Sequence, residues 1–414
     1  MKIITSYSAL TNALDTITPV LNDKLMMEEN KNVLFWVHDN TVSVICSNLY
    51  TSCIAQLAST LEFAEGEDAN TAYYVMVKAK ELLDNIKCVS GLRATKISDV
   101  TFDIRENEIR LLIHEVAANE EDPNASKMDQ VSKFRLSKVK VVERIKTELN
   151  DSLKHIENET DYVTIQQSRM LAILEALIPA VNSDARDTVN TRITFNDGFA
   201  YVIPQTYAAF VKNVLPEGVD KFIISNSVAT FIQSFFRAEP TTQFKKFATQ
   251  GDAEIIVIKN SIATAVIKCT NANKAFNITA QKEIPSTGIA VNKDYFLDVM
   301  KRIEMTKAEV NFKITITEGN ATCMVVNKAL SQELPVLKAE GNGEFNFTIK
   351  PDILSSISFK QFKDDANLLF MYMATDDTGK VTLVITDDMM VGEDHLWHTF
   401  TKGLTMGKGD YQWN

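Results

Sequence analysis

The chain has 414 residues, 45% of them hydrophobic and 23% charged, which suits a folded protein of roughly two to four domains. Its 14 glycines and 9 prolines are too few for a loop-rich enzyme built on glycine phosphate cradles, or for a disordered chain. A formal net charge of −11 excludes a protein coated in nucleic acid and leaves open only a local basic surface.

Taken in chain order, the pattern helix, strands, helix, strands recurs three times, predicting three tandem modules at 1–160, 161–284 and 285–414. In the first, Tyr7, Leu10, Leu14, Ile17 and Leu21 recur at helical spacing. Alternating strands at Asn32–His38 and Thr41–Ser47 are joined by Asp39-Asn40, a two-residue hairpin signal. A second helix is predicted over 77–89, with Leu82, Leu83 and Ile86 on one face, then strands at 97–104 and 108–114.

The charged stretch 115–159 is read as an insert and linker. Within it 119–124 is a solvated loop and 141–156 a polar helix decorating the first module.

The second module opens at Tyr162. Met170, Leu171, Leu174, Leu177, Ile178 and Val181 predict its first helix, followed by strands at 191–195 and 199–203 about the turn Asn196-Asp197-Gly198. Ser225-Asn226-Ser227 reads as the N-cap of a helix reaching Phe236, and strands follow at 244–249, 254–259 and 263–269. In the third module Phe296, Val299, Met300 and Ile303 mark the first helix and Pro351 opens a second over 351–357. Strands are predicted at Val310–Thr317, 321–327, 344–349, 368–374, Val381–Thr386 and 396–400. The fold class is therefore α+β, with two helices packed on antiparallel sheets in each module.

Chemistry is sparse. No G-x-G-x-x-G, no G-x-x-x-x-G-K-[ST] and no G-x-S-x-G occurs, so phosphate cradles and a serine nucleophile lack their usual anchors. The histidines His38, His114, His155, His395 and His398 are scattered. The close pair His395 and His398, three apart in a strand, point to opposite faces. Asp376-Asp377 and Asp387-Asp388 sit at strand ends, where aspartate is favoured for local hydrogen bonds. No catalytic residues, metal ligands or cofactor are expected. The odd, spread cysteines Cys46, Cys53, Cys88, Cys269 and Cys323 read as reduced core thiols. With no secretory pattern at Met1–Ser6 and no run of about 18 apolar residues, a cytoplasmic protein without a membrane span is expected.

Basic residues gather on the helical stretches: Lys78, Lys80 and Lys87, then Arg169, then Arg237 with Lys245 after it, then Lys293, Lys301 and Arg302. Such residues collected on one surface would hold a phosphate backbone without reading bases. Lysines on a polar helix face are also commonly just solvated, and Glu81, Asp294 and Asp298 lie among them. Charge alone leaves the matter open.

The order of elements resembles the bacterial-type DNA sliding clamps, the β subunits of replicative polymerases. The likeness is carried by the opening helix with Asn32-Val33-Leu34-Phe35, by 75–83 with the strand pair 100–104 and 109–113, and best by 291–299, 333–337 and 345–354. It runs through pattern and order over nearly the whole chain, without a short invariant motif.

The resemblance implies a homodimeric ring of six domains around duplex DNA, with the helices named above inside and no enzymatic activity. It also implies that a polymerase and a clamp loader insert a short apolar peptide between the second and third modules. By position that pocket takes Thr206, Ala208, Ala209, Phe210 and Val211 from a strand and turn, with His398 and Phe400 from the last strand. The chain departs from the family here, since Tyr207-Ala208-Ala209-Phe210 replaces its usual turn, and Thr401–Asn414 runs past its usual end. Such divergence suits a phage system. The competing reading is a non-enzymatic scaffold binding only proteins, in a viral transcription or virion complex.

Overall fold

The computed structural model describes the chain apart from residues 23–25, 28–30, 49, 69–70, 91–94, 107, 118–129, 157–160, 183–190, 197, 205–206, 213–214, 217, 249–252, 273–285, 351–352, 354–366, 376–380, 387–395 and 402–414. The second helix expected in the third module, both aspartate pairs (387–388 wholly, 376–377 likewise), His395 and the tail beyond 401 lie outside the described residues.

From the N-terminus the elements are β1 (Lys2–Ser6), α1 (Tyr7–Ile17) running into a 3-10 turn (Thr18–Asn22), β2 (Asn32–His38), β3 (Thr41–Ser47), β4 (Thr51–Leu57) and β5 (Ser59–Glu62). Next come β6 (Tyr73–Lys78), α2 (Ala79–Val89), β7 (Thr95–Ile104), β8 (Ile109–Ala117), β9 (Gln130–Leu136), β10 (Lys138–Val139) and α3 (Glu143–Ile156). The middle of the chain forms β11 (Val163–Gln166), α4 (Gln167–Asn182), β12 (Ile193–Asn196), β13 (Phe199–Val202), β14 (Tyr207–Lys212) and β15 (Phe222–Ile224). It continues with α5 (Asn226–Arg237), β16 (Thr241–Ala248), β17 (Ala253–Lys259) and β18 (Ala263–Asn271). The last part forms β19 (Thr287–Asn292), α6 (Lys293–Thr306), β20 (Val310–Thr317), β21 (Asn320–Val326), β22 (Ser331–Leu334) and β23 (Val336–Glu340). It ends with β24 (Gly343–Ile349), β25 (Leu368–Thr375), β26 (Val381–Thr386) and β27 (Leu396–Thr401).

Packing divides these elements into two compact units. Unit 1 holds Met1–Thr164 with Thr230–Thr249 and Ile255–Lys268; unit 2 holds Ile165–Ala229, Gln250–Glu254 and Cys269–Asn414.

In unit 1 two antiparallel sheets enclose the core. One has the order β5-β1-β7-β8-β9. The other runs β10-β6-β2-β3-β4-β18 through successive antiparallel pairs. The β2–β3 turn forms as its residues require: Asp39 (φ +48°) and Asn40 (φ +58°) both take the left-handed region of a type I′ hairpin. Helix α1 starts where Ser6 Oγ accepts from Ala9 N at 3.2 Å, and it buries Leu10, Leu14 and Ile17. Full burial of each such side chain is worth about 1.5–3 kcal/mol. Leu82 and Ile86 of α2 are buried as well, and Phe35 of β2 meets Phe102 of β7 with ring centroids 4.7 Å apart. This contact staples one sheet to the other.

The stretch 115–159 is more than an insert. β9 continues the first sheet from its pairing with β8, and β10 pairs with β6, so part of the expected linker is sheet. Charge on β9 misled the sequence reading: Lys133 and Arg135 are exposed on an edge strand, where polar residues are normal.

In unit 2, a long antiparallel sheet takes the order β23-β19-β25-β26-β27-β14-β13-β12-β15. A second sheet has the order β22-β21-β20-β24. Asn292 Oδ1 accepts from Tyr295 N at 2.9 Å to start α6, whose Phe296, Val299, Met300 and Ile303 are buried, Phe296 stacking on Phe312 of β20. Gly341 (φ +77°) turns β23 into β24; a Cβ there would lie 2.5 Å from Thr287 Oγ1, so only glycine fits.

Of the cysteines, Cys46, Cys53 and Cys323 are buried as expected, Cys269 is half-buried, and Cys88 on α2 is exposed. Cys46 and Cys53 face each other across β3 and β4 as free thiols, and burial pushes both well above the usual thiol range.

Candidate nucleic-acid interface and peptide site

Helix α2 turns Leu82, Ile86 and Val89 inward, which leaves Lys80, Asp84 and Lys87 along its exposed side at helical spacing. Glu81 is directed elsewhere. Its carboxylate accepts from Ser137 N at 2.8 Å and Ser137 Oγ at 2.9 Å, tying α2 to the start of β10. Lys78 is exposed one residue before the helix, at the end of β6. The outward stripe of α1, by contrast, is Ser8, Asn12 and Asp15, with no basic residue. Arg237 ends α5 and is exposed.

Lys245 falls in the strand expected over 244–249. It lies on β16, half-buried, with Nζ 5.0 Å from the Phe247 ring centroid and 5.8 Å from that of Tyr162. The aromatic faces hold its cation, so this residue, unlike those on the helices, stands on an aromatic platform.

In unit 2, Arg169 is exposed in the first turn of α4. On α6, Lys293 is half-buried while Lys301 and Arg302 are exposed. Lys301 pairs with Asp298 at 3.3 Å and Arg302 Nη1 donates to Gln332 Oε1 at 3.2 Å, while Gln332 Nε2 donates to the Tyr295 hydroxyl at 2.7 Å. An exposed i,i+3 ion pair is worth little, so Lys301 stays free to exchange Asp298 for another anion. Cationic side chains thus stand on the outward sides of α2, α4, α5 and α6, with carboxylates interspersed on α2 and α6. Sequence reasoning missed Met305, 79% exposed in the last turn of α6; the signal was its break from the buried 296, 299, 300, 303 spacing.

The two segments expected to form the peptide site do meet, through the backbone. β14 pairs with β27 in the register Tyr207↔Phe400, Ala208↔Thr399, Ala209↔His398, Phe210↔Trp397 and Val211↔Leu396. The pairing places positions 209, 211, 398 and 400 on one face of the sheet and 208 and 210 on the other. Ala208 is fully buried and joins Phe199, Tyr201, Ala290, Phe370, Tyr372 and Val384 in one apolar cluster; Ala209 and Val211 are buried as well. Thr206 lies outside the described residues, and 207–211 is strand throughout, with no turn. The six of these positions that are described therefore divide over the two faces of the sheet. A cavity of about 130 Å³ in unit 2 lies elsewhere, between the β12–β13 turn and 215–220, lined by Phe195, Phe199, Leu215, Pro216 and Val219 among others.

Among the described residues no cluster of three or more His, Cys, Asp or Glu side chains is arranged to hold a metal, and no helix is long and apolar enough to cross a membrane.

No protein-family model matches the chain, and no curated protein matches it in sequence. Solved structures do. A DNA polymerase III beta subunit from Eubacterium rectale aligns with a TM-score of 0.68 at 12% identity, covering 97% of this chain and 99% of that one. The DNA polymerase sliding clamp of Caulobacter crescentus aligns with a TM-score of 0.67 at 13% identity, covering 97% and 98%. The clamp of Bacillus subtilis gives 0.67 at 12% identity over the same shares. The α+β architecture expected from the repeat is that of these proteins: over nearly its whole length, the chain has the fold of the DNA polymerase sliding clamps.

Proposed function

We propose that the chain is a DNA sliding clamp, a processivity factor without catalytic activity of its own. In this reading three modules, 1–160, 161–284 and 285–414, repeat in each copy, and two copies close head to tail around duplex DNA in the cytoplasm. The observation that carries the proposal is the likeness in fold to sliding clamps over 97% of the chain. It is supported by outward cationic side chains on α2, α4, α5 and α6 within a chain of net charge −11. A ring needs only weak, sequence-blind attraction along its bore, because topology does the holding. The interspersed Asp84 and Asp298 keep that attraction weak enough for sliding.

Ring closure needs complementary edges. β9 of unit 1 and β24 of unit 2 end their sheets, and β9 carries Lys133 and Arg135 outward. We assign polymerase and loader contacts to the surface about the β14–β27 pair, as a site for a short apolar peptide. Sedimentation tests the assembly: the species expected has twice the 46.4 kDa chain mass at micromolar concentration. A monomer at every concentration up to about 0.1 mM, well above ordinary obligate-dimer affinities, would remove the ring.

A further inference from the structure

We propose that α3 is a splint, a rigid helix that crosses and locks the seam where the first and second repeats share a sheet in unit 1. The seam is the β4–β18 ladder. Residues Ala263, Thr264, Ala265, Val266 and Ile267 stand opposite Ala55, Ile54, Cys53, Ser52 and Thr51, and Lys268 N donates to Tyr50 O at 2.6 Å. These strands are far apart in sequence and no turn connects them, so backbone hydrogen bonds and packing alone hold them in register.

Helix α3 comes from the segment between the repeats and lies over the outer face of this sheet. Its Ile145, Leu149 and Leu153 recur every four residues, one contact per turn. Leu149 is 4% exposed and packs on Leu34 of β2, Ile45 of β3 and Met76 of β6, with Trp36, Tyr74 and Ile54 of β4 around them. Lys146 Nζ sits 5.3 Å from the Tyr74 ring centroid. These contacts, from Ile145 to Leu153, fix the helix to the first repeat.

The second half reaches the second repeat. The His155 ring meets Phe247 of β16 edge-on at 5.3 Å. The carboxyl of Asp151 is held below the usual range chiefly by its hydrogen bond to Lys154, with the charges of Lys268 on β18 and of His155 adding to it. The dimensions agree. At 1.5 Å per residue the 14-residue helix is about 21 Å long, and the four strand spacings from β6 to β18 come to about 19 Å.

The ion pairs of α3 lie within it: Arg144 with Glu148 at 2.8 Å, Lys146 with Glu143 at 3.1 Å, and Lys154 with Asp151 at 2.9 Å. They stiffen the helix along its axis, while the apolar stripe, the Lys146–Tyr74 and His155–Phe247 contacts and the charge of Lys268 near Asp151 attach it to the sheet. A stiff rod fixed on both sides of a strand pair resists bending about that pair. The inference rests on unit 1 alone and does not depend on ring formation.

Hydrogen exchange on the full chain tests it. Residues 143–156 are replaced by a Gly/Ser segment of equal length, which spans about 20 Å as a coil and keeps the connection. The seam amides of 52–55 and 263–267 should then exchange about tenfold faster, with the β2–β3 and β7–β8 ladders changing by less than about twofold. Protection of β20 and β21 in unit 2 reports that the variant remains folded. The milder double variant Asp151→Asn with His155→Ala should release 263–267 by about threefold and leave β2–β3 as it was. An unchanged seam in both variants would overturn the splint. So would an equal acceleration of seam and β2–β3 hairpin, which would make α3 a stabiliser of the first repeat only.

Discussion

The contact between Phe35 and Phe102 joins the two sheets of unit 1, and its strength is measurable by a double-mutant cycle. Both rings are 1% exposed, with centroids 4.7 Å apart and planes inclined by 51°. Truncation to alanine would open a large cavity, and its cost, about 3–5 kcal/mol, would hide the pair term. Leucine keeps most of the volume, so Phe35→Leu and Phe102→Leu should each cost about 1–1.5 kcal/mol. A tilted aromatic pair adds about 0.5–1.5 kcal/mol beyond burial. The double variant should therefore be less destabilised than the sum of the singles by that amount. Urea unfolding followed at Trp36, with Trp397→Phe and Trp413→Phe removing the other tryptophans of the chain, confines the signal to unit 1. Equal m-values among the variants would show that only stability has moved. Additivity within about 0.3 kcal/mol would refute the inter-sheet staple.

Three further outcomes follow from the same geometry. Lys80→Glu with Lys87→Glu, both on the exposed side of α2, should leave the circular dichroism spectrum unchanged. If each lysine meets one phosphate, the variant should lower the salt-dependence exponent of DNA binding by about 2; an unchanged exponent would mean that α2 faces away from DNA. Thiol labelling of the native chain should modify Cys88 readily while Cys46, Cys53 and Cys323 react only on unfolding, since all three are buried and burial pushes the Cys323 thiol up to about 12 and the other two well above the usual thiol range. Rapid labelling of Cys46 would contradict the β3–β4 packing.

The third concerns acid. Glu67 is held below the usual carboxylate range first by the Ala64 N–H and further by the N-terminal ammonium of Met1 at 3.0 Å. Its folded value lies below the unfolded one of about 4.3, so its contribution is complete above that value and fades as pH falls through the folded value. Glu67→Gln should cost less than about 1 kcal/mol near pH 7, as a partly exposed pair, and nothing near pH 2. A cost that persists unchanged at pH 2 would assign the effect to something other than charge.

Local order was legible where pattern and turn chemistry coincide. The β2–β3 hairpin, β20 and the Ser225 cap of α5 all follow from side chains within a few residues of one another, and α3 was legible as a polar helix without its apolar stripe. β4 was missed because Thr51–Leu57 has no turn signal of its own; it becomes a strand by pairing with β3 on one side and β18 on the other. β9 was hidden by the charges an edge strand tolerates. The two segments expected to form a peptide site were legible, and their register was not. Register decides which of 206–211 and 396–400 share a face, and the pairing of strands so distant in sequence leaves no periodic trace in either. Lys245 shows the same limit for charge: its neighbours Tyr162 and Phe247 are assembled only by the fold.

The clamp reading is tested most directly by topology. Chain placed on a nicked circular plasmid, by a loader or by closing the dimer on the DNA, is passed through gel filtration before and after a single restriction cut. A clamp stays with the circle at a salt concentration that abolishes ordinary electrostatic binding and is lost once the ends are free. Equal release from circle and linear form, by a chain shown to be dimeric and folded, would contradict the account.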